Sequence, residues 1–179
     1  MQASDGRFYG TTALGAAGNG GTSFRITTTG VFATLHEFGA TAEGWDPRAG
    51  LVQASDGKLY GTTALGGSEG CGTLFSIDRA GVTTTLHSFV RGTDGCEPQG
   101  NLIQASDGAL YGTTPSGGTG ADQAGTVFRW KAGQLEDLHS FACAVDGCPA
   151  SSGVIQASDG NLYGTTAGGG ASCCSTAAR

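Results

Sequence analysis

A block of eleven residues that appears four times constrains this chain more than any local propensity does. Gln53-Ala54-Ser55-Asp56-Gly57-Lys58-Leu59-Tyr60-Gly61-Thr62-Thr63 recurs as Gln104 to Thr114, as Gln156 to Thr166, and as Gln2 to Thr12. Its Asp residues stand at 5, 56, 107 and 159, so the steps are 51, 51 and 52. A second motif, Thr-Leu-His-x-Phe, occupies Thr34–Phe38 and Thr85–Phe89 and returns as Asp137-Leu138-His139-Ser140-Phe141, with its His residues 51 and 52 apart. A third surrounds Phe24, Phe75 and Phe128, each two residues after a Thr in a Gly-x-x-Phe context. Three motifs that keep one period define a repeat architecture, and the period must be recognised before any local assignment.

The period divides the 179 residues, read as a single repeat domain 1–179, into copies 1–49, 50–100 and 101–152 and a partial copy 153–179. In the second copy Leu51 to Ser55 reads as a strand, and Asp56-Gly57 as a two-residue hairpin turn of the kind that needs positive φ. Lys58 to Thr63 is the returning strand, rich in Tyr and Thr. After a glycine-rich loop, Gly72 to Asp78 forms a third strand, and Arg79-Ala80-Gly81 turns it into a fourth, Val82 to Phe89. No window repeats apolar residues at helical spacing, so essentially no helix is expected. Four short antiparallel strands in about 51 residues is the pattern of a β-propeller blade. The fold class is therefore all-β and β-propeller-like, with a β-trefoil of three four-stranded units as the alternative. The additional hairpin of the partial copy disfavours the trefoil.

These motifs also carry a family resemblance. The recurring Gln-Ala-Ser-Asp-Gly-x-Leu-Tyr-Gly-Thr-Thr, the Gly-Thr-x-Phe strand and Thr-Leu-His-Ser-Phe resemble the bacterial choice-of-anchor tandem repeat, also called the GloVer (Gloeobacter–Verrucomicrobia) repeat. The likeness covers the chain apart from Gly170 to Arg179. Asp-Gly-x-Leu-Tyr-Gly-Thr is also similar, more weakly, to the core of sensor-type propeller repeats. The family resemblance implies secreted, surface-anchored proteins of undefined biochemical activity and implies no catalytic residues. Neither a secretion signal nor an anchor is recognisable in this sequence. Met1 stands where Val52, Ile103 and Ile155 stand in the other copies, and Cys173 to Arg179 replace an expected third strand. Propellers close with about four to eight blades, so the expectation is a fragment of a longer chain. Self-association through open blade edges and an imperfect four-bladed closure are the alternatives.

The cysteines become informative when the copies are aligned. Cys71 precedes the third strand and Cys96 follows the fourth; in the first copy both counterparts are other residues, Gly20 and Trp45. The third copy has Ala124 in place of Cys71, and there Cys148 gains a new neighbour, Cys143. This pattern gives two candidate disulfides, Cys71–Cys96 and Cys143–Cys148, and an oxidising compartment. Cys174 matches Cys71. Free loop thiols or a metal site are the alternatives, although no Cys-x-x-Cys pair supports zinc.

Composition excludes several functions. The formal charge is −6 with only two lysines, Lys58 and Lys131, whereas nucleic-acid binding needs clustered cations. No apolar run approaches the roughly 20 residues of a membrane span. His36, His87 and His139 sit at equivalent positions of separate units, about a sheet spacing apart (~10 Å), too far for shared zinc ligation, and are read as packing residues. One Asp per turn falls short of the six to eight oxygens of calcium. The glycine runs lack the Gly-Lys-Ser/Thr ending of phosphate loops, and no nucleophile elbow appears. No catalytic, cofactor-binding or metal residue is assigned, and no cofactor is expected. Trp45, in a loop with Asp46 and Arg48, is the one candidate ligand contact, by stacking on a sugar. The expected function is a non-catalytic extracellular or cell-surface module for binding or display, with a glycan or protein as partner. The alternative is a fragment of a propeller-type polysaccharide hydrolase or lyase.

Overall fold

The computed structural model describes residues 1–39 and 41–170, and among them every regular element is a strand. The first copy contributes β1 (Phe8–Thr12), β2 (Thr22–Ile26) and β3 (Phe32–Glu37). The second contributes β4 (Val52–Gln53), β5 (Leu59–Thr63), β6 (Thr73–Ile77) and β7 (Thr83–Ser88). The third contributes β8 (Ile103–Gln104), β9 (Leu110–Thr114), β10 (Thr126–Lys131) and β11 (Gln134–Ser140), and the fourth β12 (Ile155–Gln156) and β13 (Leu162–Tyr163). Each copy pairs its strands antiparallel in chain order within its own sheet. The result is a row of small sheets of the propeller type. The first strand of a unit is shorter than the sequence suggests, two residues in β4, β8 and β12. In the first copy it is reduced to a single bridge, Gln2 to Phe8.

The Asp-Gly turn also differs from expectation. Gly57 N–H donates to Ala54 O (2.9 Å) and Ala54 N–H to Lys58 O (3.0 Å), so the loop spans Ser55, Asp56 and Gly57. Only Gly57 has positive φ (83°); Asp56 does not. This is the three-residue hairpin connection in which a glycine follows an ordinary turn. Asp is selected there for its carboxylate, which accepts the Lys58 N–H at 3.0 Å, and not for tolerance of a left-handed backbone.

The core lies between the sheets. One cluster joins Tyr9 and Phe38 of the first unit to Leu51, Leu59, Phe75 and Ile77 of the second. The next joins Leu74 and Phe89 to Leu102 and Phe128 of the third, and a smaller one joins Ala105, Ala109 and Tyr111 to Val154. All five residues of β6 are buried, because that strand has a sheet on either side. At each of the first two junctions two motif phenylalanines meet: Phe38 and Phe75 with centroids 5.0 Å apart, Phe89 and Phe128 at 5.1 Å. The ring from the third strand lies against a glycine of the second. A Cβ on Gly61 would stand 2.7 Å from Phe75 Cζ, and one on Gly112 2.5 Å from Phe128 Cζ. The glycine of Tyr-Gly-Thr-Thr is thus a recess for the ring.

A further ladder ties the turns together. Gln53, Gln104 and Gln156 each accept a hydrogen bond at 2.8 Å from the preceding unit's Ser4, Ser55 or Ser106 N–H. Each also donates to its own turn glycine, Gly57, Gly108 or Gly160. Truncating Phe128 to Ala should cost about 3–5 kcal/mol, the usual range for a buried phenylalanine. Val145→Ala, on a side chain 71% exposed, should change stability by no more than roughly 0.5 kcal/mol. Urea unfolding of the two variants checks the difference.

Candidate functional site

The repeated polar residues converge at two ends of the strands. At the turn end, the Tyr9, Tyr60, Tyr111 and Tyr163 hydroxyls donate to Asp5, Asp56, Asp107 and Asp159 at 2.9, 2.8, 3.1 and 2.7 Å. Each Asp also accepts the backbone N–H two residues on. Burial opposes ionisation of Asp5, but the Arg7 N–H, the Tyr9 hydroxyl and the Arg7 guanidinium outweigh it and bring its pKa down to about 2. Asp107 and Asp159 are lowered too, Asp107 chiefly by the Ala109 N–H and Asp159 chiefly by the Tyr163 hydroxyl. Burial and the hydrogen bond to Asp56 push Tyr60 up to about 12. A carboxylate held ionised by fixed donors is suited to holding a turn. It is poorly suited to proton transfer near neutral pH, where an effective acid or base needs a pKa near the working pH.

At the opposite end the histidines are placed by contacts the motif alone did not reveal. His36, His87 and His139 pair through Nε2 with Glu43, Asp94 and Asp146 at 3.0, 2.6 and 2.5 Å. Each imidazole also lies edge-on to the phenylalanine two residues later, Phe38, Phe89 or Phe141. The acid always stands seven residues after the His, a constant spacing that is visible in the sequence once the copies are aligned. The same acid accepts a loop N–H, from Gly39, Val90 or Ala142. The loop so held reaches the next sheet: Thr73 Oγ1 donates to Glu43 O at 2.8 Å and Thr126 Oγ1 to Asp94 O at 2.9 Å.

The structure joins Cys71 to Cys96 and Cys143 to Cys148, with Cα separations of 4.5 and 4.9 Å. Glu97 N–H donates to Cys71 O in the second copy, and Asp46 N–H to Gly20 O in the first. The first copy therefore keeps the same backbone closure without sulfur. In the third, Pro149 stands at that position and has no N–H to give. Cys174 lies outside the described residues. Trp45 is exposed, and its main chain exchanges hydrogen bonds with Leu65 of the next unit. Its neighbour Asp46 is buried and held by Arg48 at 2.7 Å. Among the described residues no group of three His, Cys, Asp or Glu side chains could hold a metal ion.

One departure from the repeat lies at the turn end between the second and third units. There Asp56, Tyr60, Gln104, Trp130 and Lys131 line a groove of about 240 Å3. Trp130 aligns with Ile26 and Ile77, and Lys131 with Thr27 and Asp78. Only this junction thus combines a tryptophan and a lysine. Both Tyr60 and Trp130 are half-buried against the core of the junction, so their rings are fixed at its wall. Lys131 Nζ donates to Asp107 O at 2.9 Å and lies 3.4 Å from its carboxylate. Fixed aromatic rings beside charged and hydrogen-bonding groups could contact part of a larger polar ligand, although the groove is smaller than the roughly 300 Å3 at which small-molecule sites begin. The alignment of copies contained this signal, because Trp130 breaks a column of isoleucines. Trp45, the sequence candidate, sits at the other end of the strands.

The chain belongs to the Gloeobacter/Verrucomicrobia repeat family, whose pattern matches residues 1–178. No curated protein matches it in sequence. Its fold is similar to that of virginiamycin B lyase from Staphylococcus aureus, with a TM-score of 0.58 at 15% identity over 92% of this chain and 47% of that one. It is similar to a putative gluconolactonase (TM-score 0.56, 16% identity, 82% of this chain and 48% of that one). A putative 6-phosphogluconolactonase from Bacteroides uniformis gives a TM-score of 0.54 at 16% identity over 89% and 47%. Likeness at this identity concerns the fold, and the chain spans about half the length of these structures. Among the described residues no helix is long and apolar enough to cross a membrane.

The Tyr60–Asp56 bond has a pH signature. A phenol whose folded pKa is raised from 10.0 to about 12 adds stability that is complete below pH 10 and is lost as pH rises through 12. Tyr60→Phe should remove the part of the alkaline stability loss that falls in that window, together with the latest component of the tyrosinate absorbance titration. An unchanged titration would contradict the assignment.

Proposed function

We propose that this chain is a non-catalytic extracellular or cell-surface module for binding or display, and that its ligand contacts lie in the groove between the second and third units. The observation that carries this reading is the division of labour among polar side chains. The repeated Asp, Tyr and His groups are bonded to turns and loops, Asp56 and Tyr60 at the groove among them, whereas Trp130 and Lys131 are groove residues that break the repeat, Lys131 held there by Asp107. An aromatic wall beside Asp56, Gln104 and Lys131 suits a glycan or a polar peptide segment as ligand. Two disulfides fit an oxidising compartment, in keeping with secretion or display at the cell surface.

The second reading, a propeller-type hydrolase or lyase acting on polysaccharide, draws on the structural neighbours, which include a lyase and a putative gluconolactonase. It requires acid or His groups poised for proton transfer, and the repeated ones are engaged in structural contacts. Glycan-array binding by the chain, run beside polysaccharide turnover assays, separates the two. Saturable binding without turnover, weakened roughly tenfold or more by Trp130→Ala, is the expected result. Polysaccharide turnover by the chain, or binding indifferent to Trp130→Ala, would overturn it.

A further inference from the structure

The first junction fills with its own side chain a place that the second leaves open. Between the first and second units Arg79 crosses to the preceding turn, where its guanidinium donates to Ser4 Oγ at 2.9 Å. Burial opposes ionisation of the neighbouring Asp5, and the Arg79 charge joins the hydrogen bonds from Arg7 and Tyr9 in outweighing it. A cation is thus held at a serine hydroxyl beside the turn aspartate. The second junction keeps both groups, as Ser55 and Asp56, but Ala132 stands where Arg79 would. Ser55, Asp56 and Ala132 all line the groove of about 240 Å3. Ser55 Oγ accepts a hydrogen bond from Gln104 Nε2 at 3.3 Å, and Asp56 accepts those of the Lys58 N–H and the Tyr60 hydroxyl. A hydroxyl has two lone pairs and a carboxylate about four, so both can accept more.

The charges and the walls favour the same kind of occupant. Asp56 and Lys131 are the charged residues of the groove lining, and the Lys131 ammonium is turned to Asp107, whose main-chain oxygen it meets at 2.9 Å. A nearby cation does not exclude a second, since Arg7 pairs with Asp5 at 3.0 Å and Arg79 is still accommodated there. The loss of the arginine comes with the exchange of Ile77 for Trp130, and the face of a tryptophan attracts a cation. The junction that lacks the arginine therefore gains an aromatic surface broader than a guanidinium alone would cover, and a sugar ring suits it better than an arginine side chain does.

We propose that this groove selects a positively charged ligand group, and that its ligand is a glycan bearing hexosamines with free amines. The proposal rests on the reading of the groove as the ligand site and narrows its ligand. The ammonium donates to Ser55 Oγ and the Asp56 carboxylate, as the Arg79 guanidinium does to Ser4 beside Asp5, while the sugar ring lies on Trp130. N-acetylation of the amine removes the charge and weakens binding.

The test titrates the disulfide-bonded chain calorimetrically with a short glucosamine oligosaccharide and with its fully N-acetylated counterpart, below the pKa of the amine. The free-amine form should bind roughly tenfold or more tightly, the scale of a hydrogen bond to a charged group. Ala132→Arg should abolish that preference, because the new guanidinium occupies the place that Arg79 occupies at the first junction. Equal binding of the two oligosaccharides overturns the proposal, and if that binding depends on Trp130 the groove remains the ligand site. Binding of N-acetylarginine amide without binding of the glucosamine oligosaccharide also overturns it, in favour of a basic peptide. Absence of binding by either oligosaccharide overturns it too, and the glycan array then decides the groove separately. The comparison of ligands makes the result independent of how well Ala132→Arg folds.

Discussion

Two phenylalanine rings that meet between neighbouring sheets, one of them seated over a glycine, hold the remainder of this structure in register. The pairs Phe38–Phe75 and Phe89–Phe128 stand at the centres of the two larger core clusters. The ring from the third strand, Phe75 or Phe128, needs a place where its own sheet offers no side chain, and the glycine of Tyr-Gly-Thr-Thr provides it. The short strands follow from this arrangement. A sheet of two- to seven-residue strands cannot bury enough apolar surface alone, and repeat units of this sort are stable only when stacked on neighbours.

The polar motifs serve the same stacking. The Asp–Tyr pair fixes the turn from which the next unit's glutamine accepts a backbone N–H. The His–acid pair fixes the loop whose carbonyl receives the next unit's threonine. One end of each unit is thus fastened by an amide side chain and the other by a hydroxyl, with the aromatic pair between them. The first two copies share one backbone closure, Asp46 to Gly20 and Glu97 to Cys71, and the second adds the Cys71–Cys96 disulfide to it.

Much of this was legible in the sequence because the repeat supplies its own alignment. The four-strand unit, the all-β class and the propeller type follow from period and turn chemistry, and the cysteine columns pointed to the two pairs that the structure joins. Three features were not legible. The turn was read from its Asp-Gly dipeptide, but its geometry depends on which backbone N–H reaches Asp56. The sequence makes the first strand longer than it is, because Leu51 and Ala54 are buried like strand residues yet lie outside the two-residue ladder of β4. The groove lies between two units, so its residues are far apart in sequence. Trp45 stands out in the sequence as a lone loop aromatic, whereas Trp130, inside β10, is the aromatic that faces a groove.

The dependence on a side-chain-free recess is tested most directly by Gly112→Ala. The added Cβ would stand 2.5 Å from Phe128 Cζ and 2.7 Å from Leu102 Cδ2, and the ring is fully buried and cannot swing away. Overpacking of this kind costs about 1–3 kcal/mol. Gly92→Ala, where an added Cβ has no neighbour within 4 Å, serves as the reference. Urea unfolding should show Gly112→Ala destabilised in that range and Gly92→Ala near wild type. Equal stability of the two would contradict the view that ring-over-glycine packing between sheets holds the fold together.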